Sequence, residues 1–544
     1  MKHFAVLILC AACFPLASAR AGAHDIGVFD AMTDIPAEVD AAAVFYDPAE
    51  SILLSPVGRS MRSLLAFGGV FTQTENAWGA LADAFDAPVD ETIRSLLSDQ
   101  VAVVWDGLES QAPDMAGVTD SFDTRWTLIC KVKPQYLEQI RRSLRPVKRD
   151  IVHARAVYSI EQGRYRIALI DAEARGTNAT VLLAPRSGAE LLNAVLGHAV
   201  AGHVPESGTI TAGHEPMLAE LSAYHDSIDD GSWSFVLMSR LGIFNSLLSI
   251  PPQDAGTQNH TLAAIVKLNP GDLRCSFATD LPLAQDAPDA PIELFDAVAA
   301  DSVFTLAASR APRLQLTEDS FSINMSFSAG ERDRADSDPI FDAPALISLS
   351  PGDASNMTLA LCLSNPKRED AETSRLSDDA VRAMISSFDQ SQAPDFAGRF
   401  PGVRREISLR IPGGEDANPD DWPGLTPNLA WQVTPTRSHD VVVAALGPTG
   451  ANIAQHIQNL SEAARTLDAF DTQNRSGVLL RLSMRPAETL RLVNDPAIMN
   501  IALAKIINDF DIGIRRGVDA SMRGRIEIRF TESISKPKLG NGAP

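Results

Sequence analysis

The sequence predicts an α+β fold in two halves, each a mostly antiparallel sheet with packed helices. Three observations carry that reading. Short, mostly apolar strand-like runs recur along the chain between stretches of helical spacing. Strand-like runs end directly in a proline at Pro134, Pro185, Pro270, Pro366, Pro448 and Pro486. Helical patterns follow Pro134, Pro448 and Pro486 at once, as expected where a proline's missing N–H falls in a first helical turn. Finally, an opening and a closing pattern each occur twice. Hairpins mixed with helices in this way favour α+β over a doubly wound parallel sheet.

Taken in order, strands are expected at Ala43–Tyr46, Val101–Asp106, Trp126–Val132, Ile167–Asp171, Thr180–Ala184, Trp233–Ser239, Leu262–Leu268 and Leu273–Asp280. Helices are expected between them at Pro56–Phe67, Ala77–Phe85, Val89–Leu97, Gln135–Leu144, Ala189–His198 and Met217–His225. The second half continues with strands at Val303–Ala307, Met357–Ser364, Glu406–Ile411, Leu429–Val433, Asp440–Leu446, Val478–Met484, Ile512–Val518 and Arg525–Thr531. Its helices are Asp378–Phe388, Gly450–Leu467, Ala487–Val493 and Ile498–Phe510.

The repeat is in the ends of the halves. IPAEVDAAAVFY (Ile35–Tyr46) and APIELFDAVAADSVFT (Ala290–Thr305) share Pro, Glu, an apolar residue and a Val-Phe strand, with Val44 and Val303 lying 259 positions apart. Each half closes with two strands joined through a glycine-bearing turn, Asn269-Pro270-Gly271-Asp272 and Met522-Arg523-Gly524. The Pro/Asp/Ala-rich stretch Leu281–Pro291 reads as the linker. The resulting division is a signal peptide at 1–23, a first α+β domain at 24–285, a second at 286–534 and a disordered tail at 535–544. Gly330–Pro344, Asn365–Asp378 and Pro412–Asn428 read as solvent loops.

The N-terminus speaks of destination. Lys2 precedes an apolar run from Phe4 to Leu16, followed by A-x-A sites at Ala17–Ala19, Ala19–Ala21 and Ala21–Ala23. This three-part pattern is that of a secretory signal peptide, and the run is too short to span a membrane. The expected location is extracytoplasmic, periplasmic or secreted. Lipid anchoring through Cys13 is the weaker alternative, because Cys10 stands where a leucine is usual. No later stretch reaches 18 consecutive apolar residues, so no transmembrane span is expected after signal removal. With 47 basic against 69 acidic residues the net charge is −22. Cleavage after Ala23 would remove Lys2 and Arg20 and bring it to −24. Such a chain repels phosphate backbones, which excludes nucleic acid as a main partner.

Removing Cys10 and Cys13 would leave Cys130, Cys275 and Cys362, each inside an apolar strand-like run. Three thiols at that spacing make no disulfide framework and no zinc motif. Buried cysteines acting as small hydrophobes are expected.

Catalytic signatures are scarce: no GxSxG elbow, HExxH or Walker loop is present. Ser533-Ile534-Ser535-Lys536 spells SxxK but stands in the polar tail. Gly447-Pro448-Thr449-Gly450 could hold an anion at a helix start, yet lacks the lysine of a phosphate loop. His198, His203, His214 and His225 fall in one stretch without zinc spacing. The weak metal candidate is Asp416, Asn418 and Asp420, whose oxygens match positions 1, 3 and 5 of a calcium loop. Asp421 and Pro427 stand where that loop needs glycine and glutamate. Asp336 and Asp338 form a still weaker pair. No cofactor is expected and no catalytic residue is assigned. Trp105, Trp126 and Trp233 sit in strands and are read as core.

Beyond these motifs, the layout resembles uncharacterised bacterial exported proteins. The residues that carry this are the Ile35–Tyr46 opening and the strand–helix units RWTLICKVKPQYLEQI (Arg125–Ile140) and GSWSFVLMSRLGIFNSLL (Gly231–Leu248). The resemblance implies export but transfers no activity to any residue. The leading expectation is a non-catalytic binding, scaffold or envelope-associated protein with an unknown protein or envelope partner. An extracytoplasmic hydrolase and a calcium-dependent surface protein are the alternatives.

Overall fold

The computed structural model describes residues 34–49, 82, 87–106, 125–144, 148–152, 155–162, 165–170, 179–201, 218, 221, 234–240, 260–269, 271–280, 289–309, 313–317, 320–324, 344–350, 356–364, 405–408, 428–435, 439–447, 451–466, 477–493, 507–517 and 522–531. The fold is rich in antiparallel sheet with a smaller helical complement, in keeping with an α+β class. The chain divides into one unit of Met1–Leu281 with Phe530–Pro544 and a second of Pro282–Arg529.

In the first unit, ten strands are β1 (Ala41–Tyr46), β2 (Gln100–Asp106), β3 (Arg125–Val132), β4 (Lys148–Val152), β5 (Arg155–Gln162), β6 (Tyr165–Ile170), β7 (Ala179–Pro185), β8 (Phe235–Arg240), β9 (Thr261–Leu268) and β10 (Asp272–Thr279). They lie in the order β4-β5-β6-β7-β3-β2-β1-β8-β9-β10, every neighbour antiparallel. The central strands are buried on both faces: in β3, Leu128, Ile129, Cys130 and Val132 are all inside. That is why these strands read as continuous apolar runs rather than clean alternation.

Helix α1 (Val89–Leu96) buries Ile93 and Leu96, spaced to share one helical face. It contacts α2 (Pro134–Leu144), which opens on the proline foreseen at this joint and buries Ile140. Helix α3 (Ala189–Ala201) follows β7 through a 3₁₀ turn at Arg186–Gly188. Gly188 is required there, since a Cβ would stand 3.0 Å from the Trp126 carbonyl oxygen. Leu191, Leu192, Val195, Ala199 and Val200 of α3 join Ala42 and Val44 of β1, Ala102 and Val104 of β2 and Ile129 of β3 in one core. Ile35 and Val39, from the segment before β1, close it. Each fully buried aliphatic side chain in this core contributes about 1.5–3 kcal/mol.

The second unit begins with α4 (Ile292–Val298), whose Leu294, Phe295 and Val298 are buried. Its paired strands are β11 (Phe304–Ala308), β14 (Ala345–Ser350), β15 (Asn356–Ser364), β16 (Arg405–Ser408), β17 (Asn428–Pro435), β18 (His439–Gly447), β19 (Val478–Met484) and β20 (Ile507–Arg516). Their order is β16-β17-β18-β15-β14-β11-β19-β20, again antiparallel throughout. A separate hairpin pairs β12 (Arg313–Thr317) with β13 (Ser320–Asn324), and β21 (Met522–Phe530) follows β20. Helix α5 (Ala451–Thr466) places Ile457, Leu460 and Ala464 on a core shared with Leu294, Phe295, Ala307, Leu346, Ala360 and Val443. Helix α6 (Pro486–Val493) follows β19, and its Thr489 hydroxyl donates to the Val303 carbonyl at 3.0 Å.

Two expectations are overturned. Met522-Arg523-Gly524, expected as the closing turn, instead open strand β21. The helix assigned to Ile498–Phe510 cannot extend to its end, because Ile507–Phe510 begin strand β20. Ile507 and Phe510 are three apart and mimic a helical stripe. Phe510 instead lies opposite Met484 of β19, a long-range pairing that local spacing does not display. Residues 498–506 lie outside the described residues. So do the helices expected at Pro56–Phe67 and Asp378–Phe388, the linker at 281–288, the tail and residues 1–33.

Candidate functional site

A buried polar group in the first unit is the most organised cluster of ionisable side chains on the described surface and core. Thr180 of β7 lies directly opposite Lys131 of β3. Lys131 shares its strand face with Ile129, so alternation carries its side chain to the α3-side core rather than to solvent. Its Nζ meets Asp34 Oδ2 at 2.6 Å and donates to Thr180 Oγ1 at 3.1 Å. The two charged side chains retain 13% and 8% of their exposure. At that burial the lost hydration of both ions offsets much of their attraction, and the pair specifies geometry more than it stabilises. It fixes Asp34, and with it Ile35 and Val39, against the third strand.

Beside it, Lys133 Nζ stands 3.4 Å from Asp47 Oδ2, a looser and more exposed pair. Asp47 ends β1 with φ 42°, in the left-handed region that aspartate tolerates better than most residues. Its N–H donates to the Asp99 carbonyl at 2.8 Å, which ties the end of β1 to the start of β2. At the far side of the unit, His260 Nδ1 lies 3.2 Å from Asp280 Oδ1, and that oxygen also accepts the Thr261 N–H at 2.7 Å. All of these contacts hold strand ends together. Lys131 Nζ is held between the Asp34 carboxylate and the Thr180 hydroxyl, so its contacts are those of a structural tie.

Asp416, Asn418 and Asp420 lie outside the described residues, as do Asp336, Asp338, His203, His214, His225, Trp233 and the Ser533–Lys536 motif. His198 is half-buried on α3, and its Nδ1 has no hydrogen-bond partner among the described residues. Among the described residues, no three His, Cys, Asp or Glu side chains gather as a metal site would require. Trp105 and Trp126 face each other across β2 and β3, half-buried, with Trp126 6.4 Å from the Tyr165 ring.

Cys130 is completely buried and Cys275 half-buried, both with free thiols. Burial pushes the Cys275 thiol up to about 12 and that of Cys130 higher still, so neither is a ready nucleophile. The Lys131–Asp34 pair escaped the sequence reading. Its signal was present in WTLICKV, where a lysine falls on the same period-2 face as an inward isoleucine.

No protein-family model matches the chain, and no curated protein matches it. Among solved structures, one titled "Structure of crystal form I of TP0453" is similar at 8% identity, covering 54% of this chain and 90% of that one. Its TM-score of 0.26 is too low to bear on fold or function. Among the described residues no helix is long and apolar enough to cross a membrane, a statement that leaves strand-built membrane proteins aside.

Proposed function

We propose that this chain is an exported, envelope-associated binding or scaffold protein whose two halves arose by internal duplication. The observation that carries the reading is the agreement of the two strand orders. Matching β1, β2, β3, β7, β8 and β9 with β11, β14, β15, β18, β19 and β20 turns β7-β3-β2-β1-β8-β9 into β18-β15-β14-β11-β19-β20. α3 and α5 follow matched strands, β7 and β18. Two copies of one sheet present the same kinds of edge and loop twice, an arrangement suited to holding partners. Ion pairs between elements support the same reading, since Lys131–Asp34 and Lys133–Asp47 lie at strand ends and Arg481–Asp296 ties β19 to α4. Export is supported by the Phe4–Leu16 run with its A-x-A sites.

The test has two arms. Intact-mass analysis of protein recovered from the producing cell should give an N-terminus between Arg20 and His24, and retained Met1 would refute export. Crosslinking and pull-down from the envelope should return a reproducible partner. Hydrolysis of ester, peptide, glycoside or phosphoester substrates that co-purifies with the chain, and is lost on one Ser, Asp or His substitution, would replace the binding reading with a hydrolase.

A further inference from the structure

One corner of the first unit reverses the charge of the chain. Residues 141–149, RRSLRPVKR, hold five basic residues and no acid within a chain of net charge −22. Arg141 and Arg142 end α2, where cations complement the helix dipole, and Arg141 also pairs with Glu138 at 2.8 Å. Lys148 and Arg149 open β4. Three residues join the two elements, so the end of α2 and the start of β4 lie within about 14 Å.

β4 ends the strand order and, among the described strands, pairs with β5 alone. Strand alternation sorts its side chains. Val152 lies opposite Arg155, whose Nη1 donates to the Ala199 carbonyl of α3 at 3.0 Å, so Val152 and Asp150 belong to the α3 face. Arg149 and Ile151 belong to the other. Arg149 is exposed, with its guanidinium carbon 5.7 Å from the Tyr158 ring centroid. Such a contact uses one face of the guanidinium and leaves donors on its rim. Ile151 is 75% exposed, and among the described residues it is the large hydrophobic side chain that stands out of the surface. Arg142 is exposed as well.

We propose that this α2–β4 corner docks the protein on an anionic phospholipid surface. Arg142 and Arg149 meet lipid phosphates, and Ile151 enters between the headgroups. Two features favour lipid over an acidic protein strand. A basic cluster of this density is what anionic headgroups attract. An isolated exposed aliphatic side chain beside it matches a surface that is charged outside and apolar beneath. The chain outside residues 141–149 is strongly net acidic, which favours approach to an anionic surface by this corner. The inference deepens the envelope-associated reading and rests on it for where the membrane lies.

The experiment is flotation with equimolar phosphatidylglycerol–phosphatidylcholine vesicles and with phosphatidylcholine vesicles alone. It is run on the full chain and on the chain without its first 23 residues, so that the apolar run cannot carry the result. Binding should require phosphatidylglycerol and weaken as salt is added. Arg142→Glu with Arg149→Glu should reduce it at least about twentyfold, and Ile151→Asn about fivefold, with thermal melts unchanged. Equal binding to neutral vesicles, indifference to the double reversal, or capture by poly-glutamate with no vesicle binding would each overturn the assignment. Failure here with the chain still recovered from the envelope sinks the lipid contact and leaves the envelope reading standing.

Discussion

Asp34 and Asp289 each precede an apolar residue and a proline, Ile35-Pro36 in the first unit and Ala290-Pro291 in the second. The two aspartates do different work. Asp34 takes the Lys131 ammonium from β3, whereas Asp289 Oδ2 accepts the N–H of Gly477 at 3.0 Å, at the start of β19. The difference follows from what the third strand offers. Lys131 lies opposite Thr180 on β3 and β7, while the corresponding register position on β15 is Cys362, opposite Val441 of β18. Asp289 moreover meets the start of β19, on the other side of β11 from β15, whereas Asp34 meets β3. Two sheets of similar strand order thus carry different polar contacts at their margins.

The same lesson runs through the centre of each sheet. One row across the first unit reads Thr127, Val104, Ala42, Met238, and its counterpart in the second reads Thr358, Ser348, Thr305, Ser483. The first row is mostly apolar and the second is hydroxyl-bearing throughout. Thr127 and Thr358 occupy the same place, both are completely buried, and neither hydroxyl has a hydrogen-bond partner among the described residues. The two rows therefore differ in both polarity and size, most of all at Met238 and Ser483.

The comparison can be broken most severely in the two cores. Ile129→Ala and Leu346→Ala, each removing a completely buried side chain, should cost about 3 kcal/mol apiece. If the units unfold independently, denaturant melts followed by hydrogen exchange will show each change confined to its own unit. A shared shift of all protected amides would mean one cooperative body.

Next in size is Lys131→Met, which leaves Asp34 buried without its cation and should cost about 2–3 kcal/mol, discounted for residual exposure. Adding Asp34→Leu should recover most of the loss in the same chemical melt. No recovery would show that the aspartate has a role outside the pair.

Gly477→Ala tests the second unit's solution. Gly477 has φ 66°, a conformation that costs an L-residue roughly 1–2 kcal/mol. The loss should appear in the melt without altering the first unit.

Thr127→Val and Thr358→Val should each raise stability by about 1 kcal/mol, since an unpartnered buried hydroxyl is exchanged for a methyl of the same shape. Opposite signs at the two sites would break their equivalence.

The smallest effect concerns the thiols. Folded Cys130 and Cys275 should alkylate slowly at pH 8 and fully in denaturant. The Cys275 thiol rises on folding from 9.0 to about 12, so its contribution is complete below pH 9 and is lost as pH climbs toward 12, where the unfolded chain ionises first.

How far the sequence could be read depends on which contacts set each element. β19 was legible to the residue, Val478–Met484, because its apolar residues dominate a run that ends just before the Pro486 joint. Five paired strands were missed: β4, β5, β12, β13 and β14. β14 lies between Pro344 and Pro351 and carried no assignment, although it sits between β11 and β15 at the centre of its sheet. β4 and β5 carry Lys148, Arg149, Arg155 and Glu161 and lack a long apolar stripe, as strands near a sheet edge do. α4, seven residues long, is too short for its periodicity to stand out.

By itself the sequence determined the strand-and-helix vocabulary, the proline joints at α2 and α6 and the apolar character of the cores, because each of these is written in local spacing. Tertiary structure decided the strand order, the fate of Ile507–Phe510 and the meeting of Asp34 with Lys131 and Thr180. Those depend on residues separated by tens to hundreds of positions. Their energy comes from pairing and burial that exist only once the sheet has closed around them, so a local pattern could turn Lys131 inward but could not name its partners.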